Sequence, residues 1–388
     1  MIIKLFVLFV LLVIIPDVYI YWVHVRHSKS KLFKRLYWIP GLVLLIGLPA
    51  ICFIPEGRVL DQYARELGWL IMFFFICVVP KVIFMFFSIL ASPILLNKRW
   101  PGSFFITVGL LLSIASEVLL LYGTFIGKNR FVVKEVDFVS EHLPDGFDGY
   151  RIMQLSDMHL GSWKWNKKNL DQLIDLCNEQ EANITVFTGD LVNHSAYEIE
   201  GFEPFLAKFK QRDGFYSILG NHDYVPYFKH VEEDNKQEEI NFLIKKQREA
   251  GWDVLMNENR LLLHNGDTIA LIGVENYGEP PFSQHGDLKK AMLGTSGRFK
   301  ILLSHNPTHW RSEVLGKTDI DLMLAGHTHG MQLIVGGFSF ASKQYSEWNG
   351  FYQQGSQGLY VNLGVGVIGI PFRFGAWPEV TIITLRKP

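Results

Sequence analysis

The chain has 388 residues, more than one typical core needs, with 49% hydrophobic and only 19% charged residues, an apolar balance for a soluble protein. Its 37 Lys and Arg residues are offset by 38 Asp and Glu, a formal net charge of -1, which excludes the basic stripe that gathers nucleic-acid phosphates. Three cysteines, Cys52, Cys77 and Cys177, are too few and too scattered for a disulfide framework or a thiolate metal cage.

The apolar excess lies almost wholly before residue 128. Residues 2–23 are apolar over a bilayer-spanning length and lack a small-residue cleavage site, so they read as a membrane helix rather than a secretory signal. Similar runs at 36–54, 68–96 and 102–127 bring the expected number of spans to four, the third carrying Pro80 and Pro93 as possible kinks. Residues 1–127 are thus expected to form a membrane anchor. Arg26, Lys29, Lys31, Lys34 and Arg35 crowd the first loop, which favours a cytoplasmic loop there and both termini outside. An integral protein of a bacterial inner membrane, with its polar half extracytoplasmic, is the resulting expectation. Ionisable residues within spans are costly; Lys81 and Glu117, near mid-depth of neighbouring spans, are expected to neutralise each other, and Asp17 is left without an assigned role.

Residues 128–148 read as a linker, and from 149 to 388 short apolar runs alternate with amphipathic stretches. RIMQL, ITVFTG, FYSILG, TIALIGV, KILLSH and DLMLAG read as strands, and Lys168–Glu179 and Glu238–Glu249 as helices with apolar residues at three- and four-residue steps. The pattern is α/β, and polar motifs fall just after the strands, where such folds place their sites.

Five motifs follow in order: Ser156-Asp157-Met158-His159, Gly189-Asp190, Gly220-Asn221-His222-Asp223, Ser304-His305-Asn306-Pro307 and Gly326-His327-Thr328-His329-Gly330. Carboxylate, amide and imidazole ligands suit borderline divalent metals, Mn, Fe, Co or Zn. A lone Asp-x-His or Gly-Asn is common in ordinary turns; the joint, ordered occurrence is the signal. His194, His264 and His285 match none of the motifs and read as surface or core residues.

The set resembles the calcineurin-like metallophosphoesterase superfamily, and the tail Gly369-Ile370-Pro371-Phe372-Arg373 with Pro378-Glu379 is similar to a membrane-anchored bacterial subgroup. The resemblance implies a two-sheet sandwich flanked by helices, with Asp157, His159 and His329 on one metal, Asn221, His305 and His327 on a second, and Asp190 bridging them. It further implies a metal-bound hydroxide as nucleophile, His222 beside the substrate phosphate, and Asp223 orienting His222. Thr308 stands where the subgroup often has Asp, and Met331 where it has Gly; both would reshape the pocket wall rather than the ligand set.

The expected function is hydrolysis of a phosphomonoester or phosphodiester at a membrane. A nucleotide-lipid pyrophosphatase and a non-catalytic scaffold or sensor are the alternatives. Two aromatic clusters, Trp163 and Trp165 with Lys164, Lys167 and Lys168, and Tyr345, Trp348, Phe351 and Tyr352, would suit a lipid headgroup region and hence a lipid phosphate, although a solvent-facing helix entry for the first and hairpin packing for the second are the preferred readings.

Overall fold

The computed structural model describes residues 2–51, 63–92, 102–164, 166–224, 233–279 and 284–388. The chain forms two compact units, Met1–Ile126 with Gly369–Phe372, and Gly127–Ile368 with Arg373–Pro388.

The first unit is helical. Among the described residues, three helices are long and apolar enough to cross a membrane, spanning Val7–His27, Ala64–Leu90 and Gly102–Asn129. Outward-facing side chains such as Leu111 and Val118 are apolar and more than half exposed, as expected where lipid rather than water is the solvent. The second expected span is represented by the helix Ile39–Ile51; its last residues, 52–54, lie outside the described residues, as do residues 93–96 of the third. That third helix runs unbroken from Ala64 to Leu90 through Pro80, and Ser113 Oγ donates to the Pro80 carbonyl at 2.8 Å.

Lys81 is paired differently from expectation. Its Nζ lies 2.6 Å from Asp17 Oδ1, and the Tyr37 hydroxyl donates to the Asp17 carbonyl at 3.0 Å. Asp17 is almost fully buried, so the ammonium offsets a carboxylate that would otherwise be stranded in an apolar bundle. Glu117 is not the salt-bridge partner.

The second unit is a sandwich of two six-stranded sheets, ordered β1-β12-β2-β3-β4-β5 and β10-β11-β9-β8-β7-β6. In the first sheet these strands are β1 Val132–Val139, β2 Arg151–Leu155, β3 Ile184–Phe187, β4 Phe215–Ser217, β5 Trp252–Val254 and β12 Glu379–Arg386. In the second they are β6 Glu258–His264, β7 Asp267–Gly273, β8 Lys300–Leu303, β9 Leu322–Ala325, β10 Gly350–Gln354 and β11 Gln357–Val361. Period-two alternation divides each central strand between two cores. In β2, Ile152 joins Val186, Leu303 and Leu324 between the sheets, while Met153 and Leu155 face outward onto Leu170, Leu173 and Ile174 of the helix Lys167–Asn178. The second sheet is covered in the same way, Ile272, Leu302 and Met323 packing with Trp310 and Leu288.

Residues 128–148, expected to be a linker, contain β1, an edge strand paired in parallel with β12 from Val132↔Glu379 to Val139↔Arg386. Its sequence VVKEVDFV is half exposed. Charges on an edge strand blunt the open side of the sheet, and those same charges make the segment read as a linker.

His309 gives this unit a pH signature. It is fully buried, faces Ser304 Oγ at 2.9 Å through Nδ1, lies 3.3 Å from Glu313 through Nε2, and stacks on Tyr277 at 4.0 Å. Burial outweighs the Glu313 carboxylate and lowers its pKa to about 4. An unfolded histidine, titrating near pH 6.5, binds a proton that the folded one refuses. The contribution is therefore complete above about pH 6.5 and is lost as pH falls toward 4, by on the order of 3 kcal/mol. In urea unfolding of the full-length protein, His309→Asn is expected to flatten the loss of stability between pH 7.5 and 4.5; equal losses in both proteins would exclude this assignment.

Candidate metal centre

All five motifs begin within three residues of a strand's C-terminal end, three in the first sheet after β2, β3 and β4 and two in the second after β8 and β9. The sandwich thus brings segments 170 residues apart, Asp157 and His327, into hydrogen-bond contact, His327 N donating to Asp157 Oδ2 at 3.0 Å. The turns are tight enough to force unusual backbone. Asp157, His159, Asp190, His327 and His329 have φ of 52°, 49°, 60°, 73° and 50°, a left-handed region that non-glycine residues occupy only at a cost of about 1–2 kcal/mol each. At Gly220 an added Cβ would strike Asp190, and at Gly326 it would strike Ser156 and Asp157, so both positions require the absence of a side chain.

Two ligand groups result, Asp157 with His159 and His329, and Asp190 with His305 and His327, the donor atoms within each lying within 4.8 Å of one another. In the first, His329 Nε2 is 3.1 Å from Asp157 Oδ1 and 3.1 Å from His159 Nε2. In the second, His305 Nε2 is 3.1 Å from Asp190 Oδ2 and 3.2 Å from His327 Nδ1. The same Asp190 Oδ2 is 3.9 Å from His159 Nε2, so one carboxylate oxygen faces both groups.

Asn221 is buried, and neither its amide oxygen nor its amide nitrogen has a hydrogen-bond partner. A buried amide left in this state loses on the order of 1–3 kcal/mol. Two convergent carboxylate–imidazole groups beside an orphaned amide oxygen are a donor set that fits a pair of divalent cations.

Backbone carbonyls fix the imidazoles from behind. His305 Nδ1 donates to Thr188 O at 2.7 Å and His159 Nδ1 to Val192 O at 3.2 Å, leaving Nε2 of each turned inward. Behind His329 stands a cation: Arg373 Nη2 donates to its Nδ1 at 2.9 Å. His327 Nε2 is held 3.0 Å from the Tyr345 hydroxyl.

The charges are strongly interdependent. Burial lowers the pKa of His159, of His329 and of His327, the last to about 3, which keeps these rings in the neutral form that binds metal. Burial opposes charge on His305 as well, but the Asp190 and Asp157 carboxylates prevail and push it up to about 9. Despite burial, nearby imidazoles hold Asp157 and Asp190 below the usual carboxylate range.

His222 lies at the rim, its ring 5.1 Å from that of His159 and its backbone N donating to Asp190 Oδ1 at 2.8 Å. Its Nδ1 donates to the Asn193 carbonyl at 2.5 Å. Asp223, expected to orient His222, instead accepts the backbone N–H groups of Asp190, Leu191, Val192 and Gly220 at 2.9–3.1 Å. Four amides converging on one carboxylate fix the Gly189-Asp190 turn beneath the candidate ligands, so the Asp223 carboxylate is engaged by the loop while the His222 ring faces the Asn193 carbonyl. His194 lies beside the site, its ring 6.3 Å from that of His222, whereas His264 and His285 are packed on Tyr150 and Tyr224.

The aromatic clusters divide. Trp163 is buried and stacks on Phe131 at 6.1 Å; Trp165 is outside the described residues. Tyr345 joins the metal centre, while Phe351 packs on Phe138 between the sheets. Tyr345, from the second aromatic cluster, and Arg373, from the tail motif, take positions behind the imidazoles that the sequence did not assign to them.

Residues 150–331 match the protein family described as Calcineurin-like phosphoesterase, and residues 2–128 match one described as Probable Calcineurin-like phosphoesterase, transmembrane domain. A Bacillus subtilis protein named Uncharacterized metallophosphoesterase YkuE is 31% identical over 69% of this chain and 89% of its own length. A zebrafish (Danio rerio) protein named Transmembrane protein with metallophosphoesterase domain is 30% identical over 83% of this chain and 75% of its own length. An uncharacterized metallophosphoesterase of Campylobacter jejuni is 28% identical over 100% of this chain and 99% of its own.

Proposed function

The chain belongs to the calcineurin-like phosphoesterases and is a membrane protein that hydrolyses phosphoric esters; on that premise we propose a dinuclear, membrane-anchored phosphohydrolase acting on phosphomonoesters or phosphodiesters. Asp157, His159 and His329 would hold one divalent ion, Asn221, His305 and His327 the other, and Asp190 would bridge them. The observation that carries this reading is the single Asp190 oxygen facing both ligand groups beside the orphaned Asn221 amide. Manganese, iron, cobalt and zinc all suit these donors.

When bound, two such ions would acidify a water molecule and neutralise the phosphoryl oxygens. The protein's own groups would do the rest. Water oxygen joins phosphorus, the ester P–O bond breaks, and the departing oxygen needs a proton. His222 keeps one proton on Nδ1 toward Asn193 O, which leaves Nε2 as the atom able to deliver another. Asp223 would keep the Asp190 loop rigid through its four amides.

The test is turnover by the full-length protein loaded with manganese or iron, screened on mono- and diester chromogens, nucleotides and phospholipids. His222→Ala is expected to lower kcat by about 10²–10⁴-fold while leaving two metal ions bound. Unchanged turnover would show that another group supplies the proton. No turnover on any substrate, with both ions bound, would favour a scaffold. The catalytic unit is proposed to lie outside the cytoplasm of a bacterial inner membrane, from the basic residues of the first loop; a reporter fused after Pro388 that is active only inside the cell would reverse this.

A further inference from the structure

A cavity of about 350 Å³ opens beside the metal centre, lined mainly by Glu279, Thr308, Arg311, Ser312, Tyr345 and Glu347. Tyr345 connects the two, since its hydroxyl is 3.0 Å from His327 Nε2, and Pro307 in the cavity wall is two residues from His305. The size suits a small organic group rather than a macromolecule. Resting on the phosphohydrolase reading, we infer that this chamber receives the leaving group of the substrate. We infer further that this group is compact, rich in hydrogen-bond donors and not anionic: a polyol or an aminoalcohol rather than an acyl chain or a nucleotide.

The lining decides the chemistry. Of its nine residues, Pro307 alone has no polar side-chain atom. Burying an acyl chain here would strip water from these polar groups without replacing it, at about 1–3 kcal/mol for each one left unsatisfied. The charges are equally selective. Arg311 is committed to Glu347, its Nε 2.9 Å and its Nη2 2.5 Å from Oε1. Among the described residues Glu279 forms no ion pair, so the chamber carries one carboxylate in excess. Such a site attracts an ammonium or a hydroxyl and repels a second phosphate.

Thr308 is one of the two positions at which the sequence departs from the subgroup pattern. Threonine in place of a carboxylate there removes one negative charge from the wall, so the departure tunes the leaving-group chamber rather than the metal ligands.

Phosphonates test this without needing turnover. Full-length protein loaded with manganese is titrated with aminoethylphosphonate, dihydroxybutylphosphonate and octylphosphonate. At least one of the polar pair is expected to bind about tenfold or more tighter than the octyl compound, the scale of one satisfied buried hydrogen bond. Glu279→Leu, which removes the excess carboxylate and makes the wall apolar, should reduce that preference to roughly threefold or less. A loss in Glu279→Gln confined to the aminoethyl compound identifies an aminoalcohol; a loss for neither compound, with Glu279→Leu effective, identifies a polyol. Equal or tighter octyl binding, no detectable binding of the polar pair, or preferences untouched by both substitutions would each overturn the inference. Polar-selective binding without hydrolysis of any ester would count against the phosphohydrolase reading alone, and aryl phosphate hydrolysis without polar selectivity would count against the chamber alone.

Discussion

Asp190→Asn is expected to lower kcat by roughly 10³-fold or more, the scale of losing a preorganised charge at a reacting phosphoryl group, and to reduce bound metal from two ions to one or none. The substitution keeps the shape of the side chain and removes its charge. Asp190 Oδ2 sits 3.1 Å from His305 Nε2 and 3.9 Å from His159 Nε2, while Oδ1 accepts the His222 backbone N–H. An amide can imitate the second role but not the first. With Asp157 as the remaining carboxylate among the proposed ligands, two divalent cations would face each other across neutral donors, and mutual repulsion in a buried site is strong. Elemental analysis of the purified full-length protein and single-turnover assays on one aryl phosphate measure the two effects. Two ions retained with turnover within a few-fold of wild type would show that Asp190 does not bridge.

The sequence exposes some of this arrangement and hides the rest for identifiable reasons. β2, β3, β4, β8 and β9 were legible because central strands of a sandwich are apolar on both faces, and the motifs stand out because a strand that ends in a tight turn needs Gly and Asp there. β1 was hidden because an edge strand is half polar. The Lys81–Asp17 pair joins residues 64 apart in sequence, and depth within a span does not tell which of two carboxylates faces a lysine. Asp223 illustrates a subtler loss. Its place beside His222 in the chain suggests a side-chain partner, yet the turn Asn221–Tyr224 folds its carboxylate under the amides of residues 190–192. Adjacent residues in a tight turn point in different directions, so proximity along the chain is a poor guide to contact.

Arg373 closes a tail motif legible in the sequence, but what it holds shows only once the chain is folded, and replacing it is expected to be among the most destabilising single changes in the second unit. It is fully buried, and burial lowers its pKa to about 10, against the pull of Asp157 and Glu379, so it remains a cation. Four of its five donors meet four acceptors: Nε to Gly366 O at 2.8 Å, Nη1 to Ala376 O at 2.9 Å, and Nη2 to Leu363 O and His329 Nδ1, each at 2.9 Å. The guanidinium thus ties the segment 363–376 to the back of a proposed metal ligand. Arg373→Lys keeps the charge but offers one nitrogen where three are used. At least two buried carbonyls would lose their donor, at about 1–3 kcal/mol each, a large part of the roughly 5–15 kcal/mol that stabilises a typical domain. His329 would also lose the contact that fixes its ring, and comparable losses behind metal ligands weaken binding by about 10–100-fold. Lysine is therefore expected to fail almost as badly as alanine, in thermal unfolding and in manganese affinity alike. A lysine variant that unfolds within about 1 kcal/mol of wild type and keeps its manganese affinity would show that charge alone suffices, because one ammonium cannot reproduce the spread of the guanidinium fork.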